Sequence, residues 1–158
     1  MAKIIKPPSP LQPGFSVFLA GSIALGSAGP WQAFLEEQFA GMDILILNPR
    51  RDNWDSSWIQ SKATPQFREQ VEWELNALEQ ANVIAMYFEP NTQSPVSLLE
   101  LGLFARSGKI VVCCPDGFWR KGNVDIVCER YGVKQVDSLK DLLNHVIHIA
   151  NERGLALC

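Results

Sequence analysis

Val83-Ile84-Ala85-Met86-Tyr87-Phe88 is followed, after five residues, by Ser94-Pro95-Val96-Ser97-Leu98-Leu99-Glu100-Leu101-Gly102. An apolar run of strand length leads through a short turn into a helical pattern. That step is the building unit of an open α/β fold, which takes its ligands in the crevice beyond the carboxyl ends of its strands. It puts Glu100 just inside a helix N-terminus, where backbone N–H groups and the macrodipole favour an ionised carboxylate. An ionised, positioned carboxylate can attack an electrophilic sugar carbon. Ser97 and Glu100 also have the S-x-x-E spacing of a capping box. This stretch alone therefore leaves a cap and a nucleophile both open.

Outward from it, strands and helices alternate. Val17 to Ala20 reads as a strand, followed by the Gly/Ser-rich loop Gly21 to Gly29 and a helix from Pro30 to about Ala40. Ile44 to Leu47 is a second strand, ended by Asn48-Pro49. A long polar loop carries Trp54 and Trp58 before a helix over Gln66 to Gln80, where Phe67, Val71, Leu75 and Leu78 recur at helical spacing. After the central strand and its helix, Ile110 to Cys114 is the fourth strand. A short fifth is expected near Asp125 to Cys128 or Gly132 to Val136. The last helix runs from Ser138, a natural cap, to about Arg153. Alternation of this kind implies right-handed crossovers and a parallel sheet covered on both faces. The expected fold is a three-layer α/β sandwich with a mostly parallel five-stranded sheet, flavodoxin-like or Rossmann-like. It should form one domain over residues 15–158, preceded by a proline-rich extended arm over residues 1–14.

Composition narrows the classes. The chain has 158 residues, 47% hydrophobic and 20% charged, which suits one soluble domain. A net charge of −3 gives no general attraction to nucleic acid or to an anionic membrane. The apolar runs are too short to span a bilayer, and the first residues lack a signal-peptide core. Cys113, Cys114, Cys128 and Cys158 form no C-x-x-C pair, so free thiols in a reducing cytoplasm are expected. His145 and His148 have no nearby thiol or carboxylate cluster, so a zinc site is not expected.

The loops after the strands should converge on one edge. The first, from Gly21 and Ser22 to Gly29, could cradle a phosphate or approach a sugar closely, but it is no Walker A loop and holds no cation. In the second, Asn53 and Asp55 offer the donors and acceptors that read a nucleobase edge, while Trp54 or Trp58 could stack on its face. Arg50 and Arg51 suit ion pairs with helix carboxylates such as Glu72 or Glu74. Those two glutamates face different sides of their helix, so one can face solvent while the other reaches the site. Trp119 to Asn123 is a polar, basic loop that could meet the ligand or a neighbouring subunit.

Taken together, Phe18-Leu19-Ala20-Gly21-Ser22, Asn48-Pro49-Arg50-Arg51, Trp73-Glu74 through Ala81-Asn82, Leu98-Leu99-Glu100-Leu101-Gly102 and Gly122-Asn123 resemble the nucleoside 2-deoxyribosyltransferase superfamily, nearest its compact bacterial-type branch. The resemblance implies cofactor-free exchange of the nucleobase of a 2′-deoxyribonucleoside, with free nucleobase as second substrate, in nucleoside salvage. It makes Glu100 the nucleophile, holding a glycosyl ester with net retention, and Glu74 the acid that assists the base. Glu74 stands where Asp is common, Ser94 where many members carry Asp, and Phe18 where a Tyr hydroxyl often steadies the nucleophile. Without that hydroxyl, Ser22 or backbone groups must orient Glu100. Asn123 matches a residue reaching the 5′-hydroxyl in an adjacent subunit, which implies a dimer-based homo-oligomer with shared sites. Two other readings compete: an N-glycoside hydrolase of nucleoside 5′-monophosphates, and a non-catalytic nucleotide-binding module.

Overall fold

The computed structural model describes residues 1–22 and 30–155. Its elements in chain order are β1 (Lys3–Ile5), β2 (Ser16–Gly21), α1 (Trp31–Phe39), β3 (Leu45–Leu47), α2 (Pro65–Gln80), β4 (Val83–Tyr87), α3 (Pro95–Phe104), β5 (Ile110–Cys113), α4 (Lys121–Tyr131), β6 (Lys134–Val136) and α5 (Leu139–Glu152). The strands form one sheet in the order β1-β3-β2-β4-β5-β6, every neighbouring pair parallel. With β1 set aside, this is the flavodoxin-like order, whose switch point lies between β2 and β4.

Alternation along the strands sorts the core into two layers. Val17 and Leu19 of β2, Val83 and Ala85 of β4, and Val111 and Cys113 of β5 pack with α1 and α5. Phe18 and Ala20, Ile84 and Met86, and Val112 face the side covered by α2, α3 and α4. The neighbouring thiols of Cys113 and Cys114 accordingly sit in opposite layers. Burial pushes the Cys113 thiol up to about 12 and those of Cys114 and Cys128 up to about 11, so all three stay protonated. Both faces of the sheet are covered, which is why its central strands read as continuous apolar runs.

Two expectations are corrected, and the helical spacing read in α2 divides between the core and a cavity. The described sheet has six strands, because Lys3–Ile5, read as the start of an extended arm, pairs with β3. The prolines that rule out a strand begin only at Pro7, and Ile5 is buried in the core. The rest of the arm lies along α2: the Trp73 indole donates to the Ser9 carbonyl oxygen (2.8 Å) and Gln80 to that of Gln12 (2.6 Å). Asp125 to Cys128 is not a strand but the middle of α4; the fifth strand expected there or at Gly132 to Val136 is β6. Val124 and Cys128 are one turn apart and both buried, while Ile126 is exposed. Finally, Trp73, Ala77 and Leu78 anchor α2 to the core, whereas Phe67, Val71 and Leu75 face a cavity. At the end of α5 nearest the sequence expectation, the Ser138 hydroxyl accepts from the Asp141 backbone N–H at 3.1 Å.

Candidate active site

Between α2 and α3 lies a cavity of about 580 Å³, closed on a third side by the chain after β3 through Pro49, Arg50, Arg51 and Trp54. Glu74 enters it from α2 and Glu100 from α3. Glu72, two residues from Glu74, points away and is held in an exposed ion pair with Arg68 at 2.9 Å. The helix therefore presents one carboxylate to solvent and one to the cavity.

Glu100 is not a cap. Ser94 is the N-cap residue of α3 and Pro95 its first helical residue. Glu100 thus sits at the sixth helical position, beyond the S-x-x-E register and the first turn where the macrodipole acts. It is only 8% exposed. Burial, and then the charge of Glu74, push its carboxyl up to about 8. Burial likewise raises Glu74 to about 7, with the nearby Gln70 side chain acting in the opposite direction. The expected preference for ionised Glu100 is thus reversed. Desolvation outweighs the dipole, and the two carboxyls hold one proton between them in the pH range between their transitions.

A second polar group lies at the switch point. The Ser22 hydroxyl is 2.8 Å from that of Thr92 and 2.7 Å from that of Ser94, and it accepts from the Glu89 backbone N–H at 2.9 Å. Thr92 donates to the Glu89 carbonyl oxygen at 2.8 Å and lies 3.0 Å from Ser94. These bonds fasten a loop with two non-glycine residues at positive φ, Asn91 and Ser94. Gly21 sits beside them at φ +138°, and a Cβ there would collide with the carbonyl oxygen of Tyr87. Only glycine lets β2 pass that close to β4.

Glu74 and Glu100 are the expected site residues that the structure brings together at the cavity. Phe18 is fully buried in the layer below α2 and α3. Ser22, Ser94 and Gly21 belong to the loop junction just described. Asn53 is exposed and accepts from the Arg51 side chain (3.2 Å), while exposed Asp55 accepts from the Ser57 backbone N–H (2.9 Å); the Ser57 side chain first, and that N–H second, hold its carboxyl below the usual range. Trp58 lies under the Arg51 guanidinium at 5.1 Å and edge-on to Trp54. Arg51 pairs with Glu69 at 2.9 Å rather than with Glu72 or Glu74. Asn123, at the start of α4, lines a separate groove of about 320 Å³ on the other side of α3. Residues 23–29 of the first loop, and Cys158, lie outside the described residues.

Sequence reasoning missed the α2 wall: Phe67, Gln70, Val71 and Leu75. The signal was there, since α2 carries one apolar set at 67, 71 and 75 and another at 73, 77 and 78. A helix with two apolar faces has two things to cover. Among the described residues no group of three or more His, Cys, Asp or Glu side chains could hold a metal ion.

A family model described as nucleoside 2-deoxyribosyltransferase like matches residues 14–118, about two thirds of the chain. The chain belongs to that family. The matched span runs from the start of β2 past β5 and includes both cavity glutamates. No curated protein matches. Among solved structures, a conserved protein from Enterococcus faecalis V583 is similar in fold, with a TM-score of 0.61 at 15% identity, covering 88% of this chain and 98% of that one.

Proposed function

We propose that this protein is a nucleoside 2-deoxyribosyltransferase, exchanging the base of a 2′-deoxyribonucleoside through a glycosyl ester on Glu100. The observation that carries the reading is the pair of carboxylates with raised titration, one from each helix, lining a single cavity. The cavity volume falls in the range of small-molecule sites.

The chemistry follows from one proton shared by two groups. The proton rests mainly on Glu100, whose carboxyl is raised further; in the reactive form, the less populated arrangement of the pair, Glu100 is ionised and Glu74 carries the proton. The Glu100 carboxylate attacks C1′ as the N-glycosidic bond breaks, and the bond pair goes to the departing base nitrogen. That nitrogen takes the proton from Glu74, through an oxocarbenium-like transition state. A second base then attacks C1′ from the vacated side, Glu100 leaves as carboxylate, and the incoming base returns a proton to Glu74. Two inversions give net retention. Burial serves the step twice: it raises Glu74 far enough to carry a proton near neutrality and leaves an ionised Glu100 poorly solvated, hence reactive.

The same reading takes the protein as a homo-oligomer. Val96, Leu99 and Leu103 form an exposed apolar stripe on α3 that continues into the cavity wall, and a second copy is the occupant that would complete the site. A role in nucleoside salvage in the cytoplasm agrees with three buried free thiols. No helix among the described residues is long and apolar enough to cross a membrane. The direct test is a chromatographic assay with deoxyinosine, with and without adenine. Deoxyadenosine formed only when adenine is present supports the proposal. Hypoxanthine release that ignores adenine points to a hydrolase, and no turnover with either points to a binding module.

A further inference from the structure

At the edge of the sheet opposite the glutamate cavity, where β4, β5 and β6 begin and α5 packs over them, lies a groove of about 300 Å³. Its polar side chains are Asn82, Lys109, Lys134, His145 and Arg153, and among the described residues no acid lines it. Asn82 joins the donors. Its Oδ1 accepts from the Ser16 backbone N–H at 2.9 Å, so the amide N–H groups are the end left over. Cations are expected at this edge wherever a helix ends, because its last carbonyl groups favour positive charge. That accounts for Lys109, whose Nζ donates to the Leu78 and Glu79 carbonyl oxygens at the end of α2, at 2.8 and 2.9 Å. It does not account for Lys134, which stands on a strand, or for His145, which lies about two turns before the end of α5. Arg153 follows that end, with its guanidinium over the Phe15 ring at 5.4 Å. Among the described residues neither Lys134 nor Arg153 has an ion pair.

We propose that this groove is a second binding site, for a small multivalent anion presented as a phosphate or diphosphate group. Positive groups that face one another without a counter-charge repel, and an anion placed between them removes that repulsion. His145 registers it: burial first, then Lys134 and His148, disfavour its charged form, while Glu152 acts the other way. Glu152 is itself taken up by His148 at 3.4 Å, and Lys109 and Arg153 are the remaining charged groups of the lining. Lys134 and Arg153 have donors to spare and hold the anion. Asn82 and His145 add neutral donors, and Lys109, with two of its three N–H groups spent, supplies charge. The volume lies at the lower end of small-molecule sites, which suits a phosphate ester. A nucleic acid is the poorer fit, because the positive groups are confined to one groove of a chain whose net charge is −3. The groove shares no residue with the glutamate cavity and is independent of the base-exchange reading.

The probe is inorganic diphosphate, added to the full chain at constant ionic strength in chloride. Calorimetry reads binding, and NMR reads the His145 imidazole, assigned with His145→Gln. The expected result is saturable binding, with His145 titrating at higher pH when diphosphate is present. Lys134→Gln and Arg153→Gln, both at exposed positions, should each weaken binding about tenfold and leave base exchange unchanged. Inorganic phosphate and a phosphate monoester such as glycerol phosphate then separate the sources of the group. Tighter binding of the ester, lost in the same variants, assigns an ester; equal binding assigns the free ion. Saturable binding that both variants leave unchanged puts the anion elsewhere and overturns the proposal. So does an absence of saturation in the millimolar range, with His145 titrating alike with and without diphosphate. Neither readout needs turnover, so a protein that exchanges no base still reports on the groove, and an unoccupied groove leaves the proposed function standing.

Discussion

Two polar clusters lie at the carboxyl edge of this sheet, and they are built on opposite terms. At the β2–β4 junction, the Ser22, Thr92 and Ser94 hydroxyls bond to one another and to both backbone groups of Glu89. In the cavity between α2 and α3, Glu74 and Glu100 are desolvated beside each other, and each is pushed up as a result. The first cluster uses its polarity to hold a strained loop. The second sets two carboxyls side by side out of water, which raises both and is the kind of perturbation found at functional sites. Burial of polar groups is common to both, so burial alone does not mark a reactive site. What burial does to the ionisation of the group does.

The sharpest way to break that contrast is Glu100→Gln. Base exchange should fall on the order of 10⁴-fold or more, since the nucleophile is lost, while nucleoside binding measured by calorimetry persists. An active variant would remove the carboxylate pair from the mechanism. Glu74→Gln should have a smaller effect, about 10²–10³-fold on kcat/KM, greatest for nucleosides whose base leaves poorly without protonation. For the wild-type protein, kcat/KM should follow a bell with its top between the two transitions, near 7 and near 8. Below it both carboxyls are protonated and no nucleophile remains; above it Glu74 has lost the proton it must give.

Stability should titrate with the same groups. Their folded values lie above the ordinary carboxylate range, so their contribution is fully present below about pH 4.5 and is lost as pH rises through about 7 and 8. Denaturant unfolding across that window should show the wild-type protein weakening, and Glu100→Gln weakening less. The hydroxyl cluster should answer differently. Ser22→Ala removes the hydroxyl that joins Thr92, Ser94 and the Glu89 backbone N–H and should cost about 1–3 kcal/mol at every pH, with little change in the pH–rate profile of the folded protein. The smallest effect expected is that of Asp55→Ala. Its carboxylate is exposed and serves a local turn with Ser57, so activity should stay within about twofold and stability within about 0.5 kcal/mol. A large loss of activity there would restore Asp55 as a group that reads the base.

The same contrast accounts for what the sequence disclosed. The strands were legible because a parallel sheet covered on both sides needs unbroken apolar runs, as in Val83 to Phe88. β1 escaped because three residues, Lys3–Ile5, are too few to show a period. α4 escaped because Val124-Asp125-Ile126-Val127-Cys128 alternates like a strand, although its buried residues are spaced one helical turn apart. In the site, Glu100 and Glu74 could be singled out as residues, but their environment could not. Whether a carboxylate is satisfied depends on what lies across the cavity, and that is set by how α2 and α3 meet. Gln70 was invisible for the same reason: an amide on a helix looks like surface polarity until its burial is known. Asn53 and Asp55 had the chemistry to read a base, yet Arg51 and Ser57, close by in the chain, claim those groups first.

The account stands most directly on whether the sugar is ever bonded to Glu100. Intact-protein and peptide mass spectrometry, after mixing with a 2′-fluoroarabinosyl purine nucleoside that destabilises the oxocarbenium-like transition state, reads that bond. The predicted result is one added fluorosugar mass on the peptide carrying Glu100, absent in Glu100→Gln and removed by adding free adenine. Base exchange proceeding with no adduct, or with the sugar on another residue, would contradict it.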